Sequence, residues 1–585
     1  MKKLNCLLII AGIIGVVSAI LISPDVATRY LSPDQHITAQ GLRSLRFYRL
    51  LALGSGLAFL ALGAASTLSG QTPLQVARSL GDRVYPLSLG ILAAVTRFYQ
   101  MDAKSLWYDE LISVVVAQGS LPTVIGQVSQ RPPLYDVVLH AFMRLGESDF
   151  IVRLPAAVFG IAAVVSVYYV ARELFDAETA VLAGLLLALS RFHIDYSQES
   201  RPYSLFSFLA LLSMLFFVRH LRRAGRWNLF SWFVASLSMI YTHYYGAFVL
   251  LAQGVYLLLL GLYHAGRKDP EWRPTDVVPY ALGLLMMGIL YLPWLPTLLR
   301  HTDAPMVWRD DVQSGSYLAN TLRSYRSMMW AYSWPSSLPW NYLRLLRLAI
   351  PLLALSGLVI PLIRRQRLGE VMLLSVWAGV PLISVTASGL NLGPRYFLFV
   401  LPVYLMFVSL GIVAYRRLAQ SLFSNVSNMR CYLVAAVVLQ LLIAPSLNDY
   451  YYLHQKEDWR SVGHYLEEHA RAQDSILVLG GSAGQLEHYY HGEAAVLDAS
   501  DRYGGSADVR DLDGLRGLVD ARDCLWVFIS GHANLLYEYW EPEKARAVQQ
   551  VLQEKLIVVE GVYDETADDL RGLYRSPCCA PGDDG

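Results

Sequence analysis

The stretch VYPLSLGILAAVTRFYQMDAKSLWYDE, residues 84–110, carries an apolar segment (84–99) straight into two adjacent acids, Asp109 and Glu110. Desolvating a carboxylate near hydrocarbon costs roughly 2.5–3.5 kcal/mol even on the lenient insertion scale, so acids at a membrane surface read first as a functional site. Arg131 follows some twenty residues on, opposite in charge and next to Pro132-Pro133.

The rest of the chain repeats the apolar theme. Of 585 residues, 55% are hydrophobic and only 16% charged, with a mean hydropathy of +0.37. Soluble domains carry about a quarter charged residues. The composition is that of a polytopic membrane protein and excludes an ordinary soluble enzyme. The net charge of +1 says nothing in total. Five cysteines, Cys6, Cys431, Cys524, Cys578 and Cys579, are too few and scattered for a disulfide scaffold, and none has metal-site spacing.

Crossing about 30 Å of hydrocarbon takes roughly twenty residues. Thirteen segments qualify: 4–22, 47–69, 84–100, 150–170, 178–196, 201–219, 228–244, 246–264, 277–296, 343–362, 370–388, 395–414 and 430–447. The first, after Met1-Lys2-Lys3, is longer than a signal-peptide core and is read as an uncleaved span despite Val17-Ser18-Ala19. Basic residues gather at alternate connections: Arg78 and Arg83; Arg172; Arg219, Arg222, Arg223 and Arg226; Arg267 and Lys268; Arg364, Arg365 and Arg367; Arg416 and Arg417. By the positive-inside rule these face the cytoplasm, which puts the N-terminus inside and the loops 101–131, 197–201, 297–342, 389–394 and everything after 448 outside. The loop 23–46, with Arg29, Arg43 and Arg46, runs against the rule.

Residues 132–146 tempt a fourteenth span but would make a helix only about 22 Å long. Asp136, His140 and Arg144 recur on one face, opposite Leu134, Val137, Val138, Ala141, Phe142 and Leu145, the pattern of a helix lying in the interface with a solvated polar stripe. After 448 the composition changes. Short apolar runs at 475–480, 494–497, 524–529 and 556–559 alternate with amphipathic stretches at 459–469 and 536–554, which predicts a small α/β domain. Gly480-Gly-Ser-Ala-Gly484 lacks dinucleotide or P-loop spacing and reads as a tight turn. Three parts result: two extra spans (1–83), a transmembrane region with outer loops (84–447) and an extracytoplasmic α/β domain (448–585).

The outward loops hold what the spans exclude. Asp109, Glu110 and Arg131 lie in the first; Tyr196, Gln198, Glu199, Arg201 and Tyr203 in the second; Tyr241, His243 and Tyr244 end a span; Arg395 and Tyr396 mark a later turn. Carboxylates with guanidiniums suit the deprotonation of a hydroxyl beside a phosphate leaving group. A carboxylate base is worth 10²–10⁴ in rate, and the planar guanidinium fork holds phosphate bidentately. A long isoprenoid gains about 0.8 kcal/mol per buried methylene and stays in the bilayer, so an enzyme for it must be built there.

The succession Ser105-Leu-Trp-Tyr-Asp-Glu110, Arg131-Pro-Pro-Leu-Tyr135, Arg153-Leu-Pro-Ala156, Tyr196-Ser-Gln-Glu-Ser-Arg-Pro-Tyr203, Tyr241-Thr-His-Tyr244, Pro394-Arg-Tyr396 and Glu457-Asp-Trp-Arg-Ser461 resembles bacterial GT-C glycosyltransferases, relatives of protein O-mannosyltransferases and lipid A aminoarabinose transferases. The resemblance implies Asp109 as catalytic base, Arg131 as a donor-phosphate ligand where many bacterial members have His, and Glu199 as second carboxylate where some relatives have Asp. Glu110 joins them as an orienting or capping acid, since neighbouring helical side chains diverge by about 100°.

The expectation is an α-helical GT-C-like membrane protein of about thirteen spans. It moves a sugar from a polyprenyl-phosphate donor to a hydroxyl of an envelope glycan, lipid or protein, at the outer face of the plasma membrane. Arg131, Arg201 and Arg395 are the candidate phosphate ligands; Tyr196, Gln198, Tyr203, His243 and Tyr396 the candidate substrate contacts. A divalent metal is compatible but not required, and nothing points to nucleic acid. The duller readings are snorkelling anchors for Arg153, Arg201 and Arg395 and belt residues for most Tyr and Trp. A lipid-linked-glycan flippase, with midplane charges and duplicated halves, is the main rival; a non-catalytic envelope scaffold is the third.

Overall fold

The computed structural model describes residues 84–126, 131–267, 277–297, 317–329, 342–389, 392–422, 443–453, 458–479, 483–498, 524–529, 555–559, 572–577 and 579, with a few isolated residues besides. The expected spans 4–22, 47–69 and 430–447, the loop 23–46, the stretch 536–554 and most of 297–342 fall largely outside them. The chain divides into two compact units. One holds 1–99, 119–146 and 151–454; the other holds 100–118, 147–150 and 455–585.

The first unit is helical. Six described helices are long and apolar enough to cross a membrane: Asp149–Leu174, Tyr203–Arg222, Gly246–Gly266, Val278–Thr297, Leu368–Ser388 and Leu401–Leu422. The protein is a multi-pass membrane protein. The expected span 178–196 is not one straight rod. It is Ala177–Ala188 followed by Arg191–Ser197, bent by 60°. The break has a local cause: the Ser190 side chain caps the second piece by accepting from the His193 backbone N–H. The expected span 395–414 also shifts, because Pro394–Val400 forms a 3₁₀ turn and the long helix starts only at Leu401. Helices Tyr342–Ile363 and Leu401–Leu422 touch backbone to backbone. A Cβ on Gly357 would lie 1.9 Å from the Phe407 carbonyl oxygen, and one on Gly411 2.0 Å from that of Leu353. Small residues permit such close approach where lipid supplies no hydrophobic drive.

Basic connections that the charge rule placed on one side are tied together. Arg219 and Arg223 pair with Glu173, Arg222 with Glu370, Arg416 with Glu178, and Arg417 with Asp176. Helix Tyr203–Arg222 ends in this net and begins, about 28 Å away at 1.5 Å per residue, at Tyr203 among the candidate site residues. The sequence-based alternation of loops thus has a structural counterpart inside this unit.

The second unit contains a five-stranded sheet of order β2-β1-β3-β5-β4, with β1 Ser475–Leu479, β2 Ala495–Asp498, β3 Leu525–Ile529, β4 Ile557–Val558 and β5 Gly572–Arg575. β1 pairs in parallel with β2 and β3; β5 runs antiparallel to β3 and β4. β1 and β3 are buried along their whole length, as their unbroken apolar runs require. Helix Trp459–His469 packs on the sheet through Trp459, whose ring meets Phe528 edge-on at 4.9 Å. Cysteine usage is corrected here. Cys524 and Cys579 form a disulfide that joins the start of β3 to the segment after β5. Asp474 lies beside it and accepts from Trp526 Nε1 at 3.1 Å, so this group of potential ligands is a closed structural cluster.

Candidate active site

In the first unit the site forms around the turn 197–201. Helix Arg191–Ser197 delivers Tyr196, and Tyr203 opens the next helix after Pro202. Between them Glu199 is buried and Ser200 fully so. The turn is fixed by Gln198: its Nε2 donates to the carbonyls of Arg97 (2.8 Å) and Tyr99 (2.9 Å), and its Oε1 accepts from the Tyr450 hydroxyl at 2.7 Å. Gln198 therefore holds the turn rather than presenting its amide outward.

Aromatic rings surround the turn. Tyr203 meets Tyr196 at 5.5 Å, Tyr396 at 5.9 Å and His243 at 6.1 Å, while His243 lies 6.0 Å from Tyr396 and stacks on Phe206. Arg395 sits 5.6 Å over the Tyr396 ring. Arg201 and Arg131 act electrostatically on His243, and Glu199, Asp195 and Arg395 on Tyr196. Tyr196, Glu199, Arg201, Tyr203, His243, Arg395, Tyr396 and Arg131, taken from four separate stretches of sequence, occupy one end of this unit. The arrangement offers carboxylate, guanidinium and ring faces together, which suits a phosphorylated sugar.

Arg131 adds a partner that sequence reasoning misplaced. Asp136, expected on a solvated stripe, is fully buried and holds Arg131 through two bonds, Nη2 to Oδ1 at 2.7 Å and Nε to Oδ2 at 3.3 Å. A buried carboxylate needs such a charge partner. Helix Leu134–Met143 buries Tyr135, Asp136, Leu139 and Met143, so the protein-facing side is rotated from the expected apolar face, and Tyr135 reaches Ser200 at 3.4 Å. Arg153 is likewise 1% exposed, which removes the snorkelling reading. Among the Tyr241–Tyr245 aromatics, Tyr241 bonds to the Leu290 carbonyl and Tyr244 accepts from Trp294. Tyr245, overlooked in the sequence, contacts both His243 (4.6 Å) and Tyr396 (5.5 Å). Asp195 was also missed; both it and Glu199 act on the Tyr450 hydroxyl.

In the second unit Asp109 and Glu110 open helix Tyr108–Gln118. Glu110 is fully buried and its Oε2 accepts from the Trp107 backbone N–H at 3.4 Å, the return half of a capping box. Asp109 is half-buried. Nearby, Asp149 pairs with Arg460 and accepts from the Tyr489 hydroxyl at 2.6 Å. Burial alone would lower the Arg460 guanidinium, but the bond to Asp149 and its charge hold it above the ordinary arginine value.

Residues 130–295 match the model of the dolichyl-phosphate-mannose-protein mannosyltransferase family. No curated protein matches the chain in sequence. Apo ArnT from Cupriavidus metallidurans shares 14% identity and superposes with a TM-score of 0.52, over 84% of this chain and 98% of that one. The archaeal oligosaccharyltransferase AglB from Archaeoglobus fulgidus, solved with an inhibitory peptide and a dolichol-phosphate, shares 11% identity with a TM-score of 0.50, over 83% of this chain and 74% of that one. At these identities the likeness is one of fold. The sequence of residues 130–295 is thus similar to that family, and the fold of the chain is similar to those of ArnT and AglB.

Proposed function

We propose that the protein is an integral membrane glycosyltransferase that moves one sugar from a polyprenyl-phosphate donor to a hydroxyl of a cell-envelope acceptor with inversion. The observation that carries this reading is the gathering of Glu199, Arg201, Arg395 and the Asp136-bound Arg131 with the Tyr203, His243 and Tyr396 rings at one end of the helical unit. The matching family is named for a dolichyl-phosphate-mannose donor, and the AglB structure contains dolichol-phosphate, which agrees with a lipid-phosphate donor here. A disulfide in the sheet unit fits an oxidising compartment and hence an outer-face location for that unit.

In the step itself, Asp109 accepts the proton of the acceptor hydroxyl as its oxygen bonds to the anomeric carbon. The anomeric carbon–oxygen bond to phosphate breaks, and polyprenyl phosphate leaves with the electron pair. Arg131, Arg201 and Arg395 neutralise that anion; bidentate guanidinium contacts are the strong kind. Glu199 orients the acceptor or a cation. A monophosphate leaving group needs no metal when guanidiniums are at hand, and a divalent ion is compatible with the same chemistry.

The test gives membranes carrying wild-type or Asp109→Asn protein a panel of radiolabelled polyprenyl-phosphate hexoses and pentoses. Wild type consumes one donor and the variant does not. Equal behaviour of the two folded, inserted proteins on every donor removes Asp109 as base and moves the flippase and scaffold readings ahead.

A further inference from the structure

The run Asp458-Trp-Arg-Ser461 recurs in the resemblance yet has no task in the reaction above. We propose that it is a clamp, completed by Tyr489 and Asp149, that positions the acid-bearing segment 102–110 for transfer. The proposal rests on Asp109 being the base, and every group it uses lies in the second unit.

Segment 101–107 has neither helix nor strand. Irregular backbone makes few bonds of its own, so the direction of the helix that begins at Tyr108 depends on what grips the preceding residues. The grip is on the main chain. The Leu106 N–H donates to the Tyr489 hydroxyl at 2.7 Å, and that hydroxyl donates to Asp149 Oδ2 at 2.6 Å. Arg460 Nη2 donates to the Asp102 carbonyl at 2.9 Å and also pairs with Asp149. The Arg460 backbone N–H donates to Ser105 Oγ at 3.1 Å, and Ser105 Oγ in turn donates to Asp458 Oδ1 at 3.4 Å. Asp458 Oδ1 also caps the helix by accepting from the Ser461 N–H.

The clamp is itself fixed. Trp459 is fully buried on the sheet, and Arg460 lies 5.7 Å over the Tyr489 ring. Gly463 lets the helix approach residue 489 closely: a Cβ there would sit 3.0 Å from the Tyr489 carbonyl carbon. Two turns of structure thus bring Arg460 and Tyr489 to the same Asp149 oxygen. The last gripped residue is Leu106, three residues before Asp109, and the helix start carries the constraint across that interval. The contacts fall on residues 102, 105 and 106. The sheet unit therefore acts as a positioning element for the reaction.

The test uses the full chain in membranes with the radiolabelled donor panel, comparing wild type, Tyr489→Phe, Arg460→Ala and His464→Ala, an exposed change on the same helix. A displacement of the order of 1 Å costs up to about a hundredfold in rate. Tyr489→Phe and Arg460→Ala are expected to lower kcat about ten- to a hundredfold at unchanged donor KM, with faster amide exchange confined to 101–112, while His464→Ala matches wild type. Unchanged kcat in variants whose 101–112 exchange has sped up overturns the proposal, and so does exchange at 101–112 that stays at the wild-type rate. Loss of exchange protection throughout the chain overturns it as well, since the effect is then general destabilisation. A wild type that consumes no donor is a different failure, that of the transferase reading, and is visible in that arm alone.

Discussion

Two irregular segments carry the candidate chemistry, and each is held in a different way. The turn 197–201 is fixed inside the helical unit: the Gln198 amide lies among the carbonyls of Arg97 and Tyr99 and the Tyr450 hydroxyl, the bonds to Arg97 and Tyr450 buried. Beneath it Arg97, fully buried, donates to the Ala188 (2.6 Å) and Leu187 (3.0 Å) carbonyls at the helix break, and contacts His193 at 3.0 Å. The segment 102–110 is instead held by Arg460, 34% accessible in its pair with Asp149, through the Asp102 carbonyl and Ser105 Oγ, by Asp458 through Ser105 Oγ, and by the buried bond from the Leu106 N–H to the Tyr489 hydroxyl. Buried bonds left unmade cost about 1–3 kcal/mol per group, whereas exposed ion pairs contribute about 0–1 kcal/mol. The first anchor should therefore govern stability and the second the alignment of Asp109.

The comparison can be broken in order of expected effect. Asp109→Asn should abolish most transfer, a loss of about 10²–10⁴ in kcat, with the melting temperature in detergent unchanged. A stable variant that retains full activity would end the special status of segment 102–110. Replacing Cys524 with Ser should cost about 2–4 kcal/mol, read as earlier proteolysis of fragments from the sheet unit while helical-unit fragments keep their wild-type time course. Gln198→Leu, which strands the Tyr450 hydroxyl and two carbonyls, should destabilise by about 2–3 kcal/mol. If it melts like wild type but loses kcat, the turn is held by something other than Gln198. Glu199→Gln should leave stability near wild type and raise acceptor KM about tenfold, on the order of 1.4 kcal/mol; a kcat loss as large as that of Asp109→Asn would transfer the base role to Glu199.

Much of this was legible in the chain. Hydropathy placed the helices Asp149–Leu174, Tyr203–Arg222 and Leu368–Ser388, because a span must satisfy its own backbone and be apolar throughout. The alternation of basic loops matched the net formed by Glu173, Glu178 and Glu370. What escaped were the residues whose role is set by a specific side-chain partner rather than by the hydropathy pattern. Asp136 looked like one tooth of a polar stripe until Arg131 turned it inward. Tyr245 was passed over beside Tyr241 and Tyr244, yet past the end of the helix at Thr242 its ring meets Tyr396. The break at Ser190 was hidden because both halves are apolar enough to read as one span.

By itself the sequence determined that the chain is membrane-embedded, roughly where several of its long helices lie, and which short motifs carry acids and guanidiniums, since each depends on composition or spacing within a few residues. Tertiary structure alone decided that Gln198 is a strut, that Arg131 leans on Asp136, that Cys524 finds Cys579, and that Tyr489 grips Leu106 from 383 residues away. The physical reason is that hydrophobic burial is read residue by residue along the chain, whereas hydrogen bonds and ion pairs exist only between groups that folding brings within about 3 Å of each other.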